Sequence, residues 1–157
     1  MPGLEDLYRE IVLDHYRSPR NRGELPPPAH RAHGFNPLCG DEIVVYLDVE
    51  DGIVSDVRIS GQGCSISQSS ASMMSAAIKG KSEAEVRALV RRFKSMMSID
   101  DNTEAGEIEP TDPDSLGELA ALQGVVKFPV RIKCATLAWN TLTQALDEID
   151  QGIPSAE

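Results

Sequence analysis

The stretch Ile43-Val44-Val45-Tyr46-Leu47-Asp48-Val49-Glu50-Asp51-Gly52-Ile53-Val54-Ser55-Asp56-Val57-Arg58-Ile59 decides how the chain folds. Ile43, Val45, Leu47 and Val49 alternate with Val44, Tyr46 and Asp48, and Ile53, Ser55, Val57 and Ile59 repeat the same period of two, which is the period of a strand. Asp51-Gly52 between the two runs is the turn chemistry of a tight hairpin. A cysteine stands beyond each outer end: Cys39 in Asn36-Pro37-Leu38-Cys39-Gly40-Asp41 and Cys64 in Gly61-Gln62-Gly63-Cys64-Ser65. At about 3.4 Å of rise per residue the arms match in length, so an antiparallel hairpin should bring Cys39 and Cys64 together at one end of the sheet.

Helices are expected on both sides of this hairpin in the sequence. Leu4, Leu7, Tyr8, Ile11 and Val12 follow a helical period as far as about Tyr16, where Ser18-Pro19 ends it. A basic stretch, Arg17 to Gly23, leads into Leu25-Pro26-Pro27-Pro28, an extended connector, and Asn36-Pro37 forces an extended entry to the first cysteine. The arginines of that stretch are balanced between a solvated loop and a docking role. After Cys64 the small residues Ser65 to Ile78 predict a closely packed helix ended by Gly80, with Ser65 or Ser67 as its cap. Ser82-Glu83-Ala84-Glu85 is a capping box that opens a further helix burying Val86, Leu89, Val90, Phe93 and Met97, with Met96 also read as core filling.

Residues 98–115 carry seven acidic groups and no basic one, which predicts a long loop. A short helix over 116–122 should follow. Pro129 then opens a final helix with Ala135, Trp139, Leu142, Leu146 and Ile149 as its stripe, ended by Gly152 and Pro154. Cys134 falls near the start of that helix, at the margin of its buried face. The expected class is α+β: a small antiparallel sheet of about three strands, packed on one side by helices.

The 157 residues fit one domain, residues 1–157, large enough to bury a core without metal or disulfide staples. Three cysteines cannot close a disulfide framework, and none forms a CxxC pair, so the chain reads as cytoplasmic. Met1-Pro2-Gly3-Leu4-Glu5-Asp6 leads straight into an amphipathic helix, so no signal sequence is expected, nor any apolar run that would span a bilayer. The net charge of −10, much of it in the acidic loop, argues against nucleic acid and against an anionic membrane as partners.

The cysteines have glycine or charged neighbours, unusual surroundings for thiols that only fill a core. Zinc takes four ligands and favours thiolate. Cys39, Cys64 and Cys134 leave one position, for which Asp41 is the natural candidate, since Gly40 lets residues two apart point at one centre. As the least well-matched donor, Asp41 would be the ligand most ready to leave. Three thiolates and a carboxylate around Zn²⁺ total about −2, which Arg131 and Lys133 can offset; the alternative for Lys133 is an ordinary surface charge. His15 lies late in the first helix. His30 and His33 are read as solvated connector residues, with a fourth-ligand role or pairing with a cysteine nucleophile as the alternative.

Asn36-Pro37-Leu38-Cys39-Gly40-Asp41, Gly61-Gln62-Gly63-Cys64-Ser65-Ile66-Ser67 and Arg131-Ile132-Lys133-Cys134-Ala135-Thr136-Leu137 resemble the three cysteine motifs of the IscU/SufU/NifU-like family of iron-sulfur cluster assembly proteins. The resemblance extends to His15-Tyr16-Arg17-Ser18-Pro19-Arg20-Asn21-Arg22-Gly23 and covers nearly the whole chain. Lys133 stands where the IscU type has histidine. Val126-Lys127-Phe128-Pro129-Val130 replaces its chaperone-read segment, and the acidic insertion resembles the SufU branch.

This resemblance implies a SufE/NifU-like α+β fold and a zinc-dependent acceptor of persulfide sulfur from a pyridoxal-phosphate cysteine desulfurase of the SufS/IscS kind, acting ahead of downstream iron-sulfur assembly proteins. It implies zinc held by Cys39, Asp41, Cys64 and Cys134, displacement of one ligand by a desulfurase histidine, Cys39 as the sulfur acceptor and Arg131 as a helper at the contact. Its alternative within the family is a scaffold whose same ligands hold iron or a transient [2Fe-2S] cluster. A structural zinc module that binds a partner through the acidic loop is the alternative outside it.

Overall fold

Three strands, β1 (His30–Asn36), β2 (Asp41–Glu50) and β3 (Ile53–Gln62), form one antiparallel sheet in the order β1-β2-β3. This computed structural model describes residues 2–26, 29–37, 40–97, 119, 121–122 and 129–152. The predicted hairpin is β2-β3, joined by Asp51 and Gly52, both at positive φ (54° and 76°), as a two-residue turn of the hairpin hand requires. Val45 faces Ile59 and Leu47 faces Val57 across it, and a register shift at Asp48/Val49 adds a bulge near the turn.

Around the sheet stand four helices among the described residues: α1 (Pro2–Arg17), α2 (Ser65–Ile78), α3 (Glu83–Met96) and α4 (Pro129–Gln151). Ile43, Val45 and Leu47 of β2, Val57 and Ile59 of β3 and Ala32 of β1 join Met74 and Ile78 of α2, and Trp139 and Leu142 of α4, in one apolar core. Helix α4 lies against β1 and β2, and α2 lies against β3 and α1. Val86, Leu89, Val90, Phe93 and Met97 are buried as the helical period predicts, and Phe93 stacks on Trp139 at 4.4 Å between ring centres. The capping box forms in both directions: Glu85 N–H donates to Ser82 Oγ at 3.1 Å and Ser82 N–H to Glu85 Oε1 at 3.0 Å.

Strand β1 occupies a stretch expected as an aperiodic connector. His-Arg-Ala-His-Gly-Phe-Asn contributes only Ala32 to the core, so alternation is hidden, and pairing with β2 makes it a strand. Gly34 allows α4 close access, because a Cβ there would overlap the Thr141 hydroxyl. The basic stretch after α1 is likewise bound into the fold. Asn21 O accepts Ile59 N–H at 2.9 Å, Gly23 N–H donates to Ile59 O at 3.0 Å, and Arg20 N–H donates to Ser72 Oγ at 2.8 Å.

Helix α2 buries hydroxyls as well as apolar groups. Ser69 Oγ donates to Val12 O at 2.8 Å, Ser70 Oγ donates to Ala135 O and accepts Trp139 Nε1–H, and Ser72 Oγ bonds His15 Nδ1 at 2.7 Å. These three buried hydroxyls therefore each have a partner on a neighbouring element, and the small side chains permit the close approach. Leu119, Ala121 and Leu122 are buried in a short 3-10 turn. The acidic loop 98–115, the rest of the expected 116–122 helix, the Pro27-Pro28 end of the connector, Pro154 and the Met96 side chain lie outside the described residues. Among the described residues no helix is long and apolar enough to cross a membrane.

Candidate metal centre

Cys64 lies between β3 and α2, and its own side chain is the N-cap of α2: Sγ accepts Ser67 N–H at 3.5 Å. The expectation of Ser65 or Ser67 in that role is corrected here. Ser67 Oγ instead donates to Cys64 O at 3.1 Å, and the sulfur itself sits at the positive end of the helix, where a thiolate is stabilised.

Asp41 is the first residue of β2 and is fully buried. Its Oδ1 accepts the Cys64 backbone N–H at 2.9 Å, and its Oδ2 is 3.9 Å from Cys64 Sγ. Gly63 is the condition for this approach, since a Cβ there would lie 2.5 Å from Asp41 Oδ1 and 2.6 Å from Ser67 Oγ. A carboxyl group without exposure demands hydrogen-bond partners, and the Cys64 backbone N–H is one of them.

Cys134 comes from α4. It is fully buried rather than marginal, and the Asn36 side-chain amide reaches its Sγ at 3.9 Å. One donor atom from each of Asp41, Cys64 and Cys134 lies within 4.8 Å of the others. Cys64 and Cys134 are free thiols.

Arg131 is exposed one turn before Cys134. The charge of Cys64, then hydrogen bonding to Cys134, holds its guanidinium above the ordinary arginine value, so its positive charge faces both sulfurs. Lys133 is exposed.

Cys39 lies outside the described residues, and its expected meeting with Cys64 is carried only by what flanks it. Asn36 and Asp41 are opposed in the sheet register, and Gly40 N–H donates to Asn36 O at 2.8 Å, so the ends of the segment that contains Cys39 are pinned beside the cluster. The histidines belong elsewhere. His30 is buried and bonds Glu148 at 2.7 Å, His33 on the same strand pairs with Glu42 at 3.0 Å, and His15 bonds Ser72. Both are therefore strand residues with carboxylate partners, not loop residues; His33 is exposed as expected, whereas His30 is buried.

The sequence did not reveal three residues that build the centre: Asn36, Gly63 and Ser67. Asn36 carried a signal for backbone direction only, through the proline after it. Gly63 matters for the room it gives the Asp41 side chain 22 positions away, which no local pattern encodes, and Ser67 for the N–H it gives the Cys64 sulfur three positions back.

The donor set suits zinc. Two thiol sulfurs and one carboxylate are borderline-soft and hard donors that Zn²⁺ accepts together. Ligands at about 2.3 Å from one tetrahedral ion stand about 3.8 Å apart, so separations within 4.8 Å need only small side-chain adjustments.

Known proteins carry the same arrangement of chain. The family model described as the NifU-like N terminal domain matches residues 7–135. The chain is 42% identical over 149 residues to the zinc-dependent sulfurtransferase SufU of Bacillus subtilis, covering 95% of each chain. It is 39% identical over 143 residues to the iron-sulfur cluster assembly scaffold protein IscU of Streptococcus pyogenes, covering 91% of this chain and 84% of that one. A crystal structure from Fervidobacterium islandicum, described as a putative iron-sulfur cluster assembly scaffold protein for the SUF system, superposes with a TM-score of 0.76 at 30% identity over 87% of this chain and 94% of that one. The chain belongs to the NifU-like N-terminal domain family.

Proposed function

We propose that the protein is a zinc-dependent sulfur acceptor in iron-sulfur cluster assembly, taking persulfide sulfur from a pyridoxal-phosphate cysteine desulfurase. The observation that carries this reading is the convergence of Asp41, Cys64 and Cys134 on one point. Likeness to the Bacillus subtilis protein over 95% of both chains supports it.

Asp41, Cys64 and Cys134 would hold the zinc, with Cys39 as the fourth ligand. Bound zinc keeps thiols deprotonated at neutral pH. The chain's own residues do the rest. The Cys64 N–H holds the Asp41 carboxylate in place, and Arg131 offsets the negative charge of the thiolates. Cys39 is the acceptor: its thiolate attacks the outer sulfur of the desulfurase persulfide, a new S–S bond forms on Cys39, and the old one breaks to leave the desulfurase cysteine as thiolate. No electron is gained or lost overall.

Metal analysis of freshly purified protein, joined to a desulfurase stimulation assay, tests this reading. We expect one zinc per chain and faster desulfurase turnover, with the gain lost in Cys39→Ala; unchanged turnover in that variant would end the reading. Likeness to the Streptococcus pyogenes scaffold protein favours a second reading, in which a [2Fe-2S] cluster is cargo on the same ligands. In that case Asp41→Ala should lengthen the lifetime of an anaerobically assembled cluster, and failure to form any transferable cluster would dismiss it.

A further inference from the structure

Arg22 is exposed, yet its guanidinium is engaged on both sides of Cys64: Nη1–H donates to Gln68 Oε1 at 2.8 Å, and Nη2–H donates to Gly61 O. Gly61 stands near the end of β3, before Cys64, and Gln68 follows it in α2, where its backbone N–H closes the first turn onto Cys64 O at 3.1 Å. The backbone that carries Arg22 is itself fixed. Asn21 O accepts Ile59 N–H, Gly23 N–H donates to Ile59 O, and Asn21 Nδ2–H donates to Ser75 Oγ at 3.1 Å. The guanidinium therefore reaches out from a segment pinned to both β3 and α2. The geometry points to Arg22 as a positioning residue that braces the β3–α2 junction and so sets where the Cys64 sulfur stands relative to Asp41 and Cys134.

The physical case begins with the backbone of that junction. Gly61 lies at φ 117°, and a Cβ there would overlap the Glu42 carbonyl, just as one on Gly63 would overlap Asp41 Oδ1. Glycine loses more backbone freedom on folding than any other residue, so a segment with two of them is loose unless contacts hold it. Asp41 and Ser67 hold Cys64 itself. Arg22 holds the two ends of the stretch that carries Cys64, and a planar guanidinium offers its nitrogens in a rigid fork, so bonding both acceptors fixes their separation. Groups outside a ligand set orient the ligands of a metal site in this way.

This inference rests on the zinc reading for its metal readout, and thiol reactivity separates the two. Wild-type protein, Arg22→Ala, Arg22→Lys, Gln68→Met and the double variant Arg22→Ala/Gln68→Met are compared as full chains. One portion, as purified, is alkylated with limiting iodoacetamide, and Cys64 and Cys134 are mapped by mass spectrometry. A second is stripped of metal, loaded with Co²⁺ for its thiolate-to-cobalt charge-transfer band, and titrated with zinc against a chelator.

We expect Arg22→Ala to move the cobalt band, to bind zinc about tenfold more weakly, and to be alkylated severalfold faster at Cys64 with a smaller change at Cys134. Arg22→Lys should recover part of each effect, since it restores a donor without the fork. Adding Gln68→Met to Arg22→Ala should cost nothing more, because the link is already cut. A wild-type band and wild-type Cys64 reactivity in Arg22→Ala, an equal rise at both cysteines, or additive losses in the double variant would each overturn the brace. If Arg22→Ala fails to fold, Gln68→Met decides on the same readouts. Wild-type protein that takes up neither metal would instead overturn the zinc reading, and alkylation of Cys64 would then decide the role of Arg22.

Discussion

The Asp41 carboxylate is held by the backbone of Cys64, Oδ1 accepting that N–H at 2.9 Å while Oδ2 remains 3.9 Å from the Cys64 sulfur. One oxygen builds the fold and the other faces the cluster. The two roles should separate by mutation. Asp41→Asn keeps an acceptor for the Cys64 N–H and should fold normally, with zinc affinity lower by at least about tenfold. Asp41→Ala leaves the N–H without its partner as well and should cost about 1–3 kcal/mol of stability. Chelator competition and urea denaturation measure the two effects; equal stability in both variants would contradict the division.

Gly63 should tolerate no side chain. The Cβ of Gly63→Ala would meet both Asp41 Oδ1 and Ser67 Oγ far inside contact distance. Because Asp41 is tethered, the strain cannot be relieved by a free swing of its carboxylate. We expect a loss of about 1–3 kcal/mol together with weaker zinc binding. Thermal melts with and without zinc test this, and an unaltered metal affinity would show that the carboxylate can retreat.

Arg131 is exposed one turn before Cys134, and the charge of Cys64 with hydrogen bonding to Cys134 holds its guanidinium above the ordinary arginine value. Arg131→Ala should therefore slow sulfur acceptance severalfold while zinc content and fold stay the same, and Arg131→Lys should recover part of the rate, since it restores charge without the planar donor fork. Desulfurase turnover and zinc stoichiometry on the same samples check this. Zinc loss in step with activity would make Arg131 a support of the ligands alone.

These expectations show how far residue order reaches. The β2-β3 hairpin, the four described helices and the Ser82–Glu85 cap follow from period, small-residue composition and turn chemistry, because those signals are local. Strand β1 does not, since its sequence is polar and its regularity comes from a neighbour. The centre is legible in part: Asp41, Cys64 and Cys134 announce themselves by type, whereas Asn36 acts through an approach that only the folded chain creates. Cys64 as its own helix cap was missed for another reason, that Ser and Thr are the usual caps and a sulfur rarely competes.

Buried His30 and half-buried Glu148 together tie β1 to α4. The His30 hydrogen bond first, and that from Gln144 further down, hold the Glu148 carboxyl below its ordinary 4.5. A carboxyl depressed in the folded state stabilises the fold above its unfolded value, and that contribution is lost as pH falls through the lower, folded value. Glu148→Gln should thus melt about 2–4 °C lower near neutral pH. The two melting curves should converge as pH falls through the range below 4.5. A constant gap across pH 3 to 7, in scanning calorimetry at about that range of buffers, would assign the effect to packing.

Removal of metal should leave the fold standing. The core around Trp139, Phe93, Leu47 and Ile78 contains none of the donor residues, so chelation should preserve the helical circular dichroism while amide exchange rises in 36–41 and 61–67. Global unfolding on chelation would favour a structural zinc module instead.

Because its donors come from the start of β2, the head of α2 and the early turns of α4, the centre cannot exist on a partly synthesised chain. Cys64 leaves the ribosome well before Cys134 is made, with no assembled donor set around it. Any ion these three donors share can therefore be caught only after α4 is made, and a chain cut short before α4 would expose the Cys64 sulfur without the Cys134 sulfur beside it.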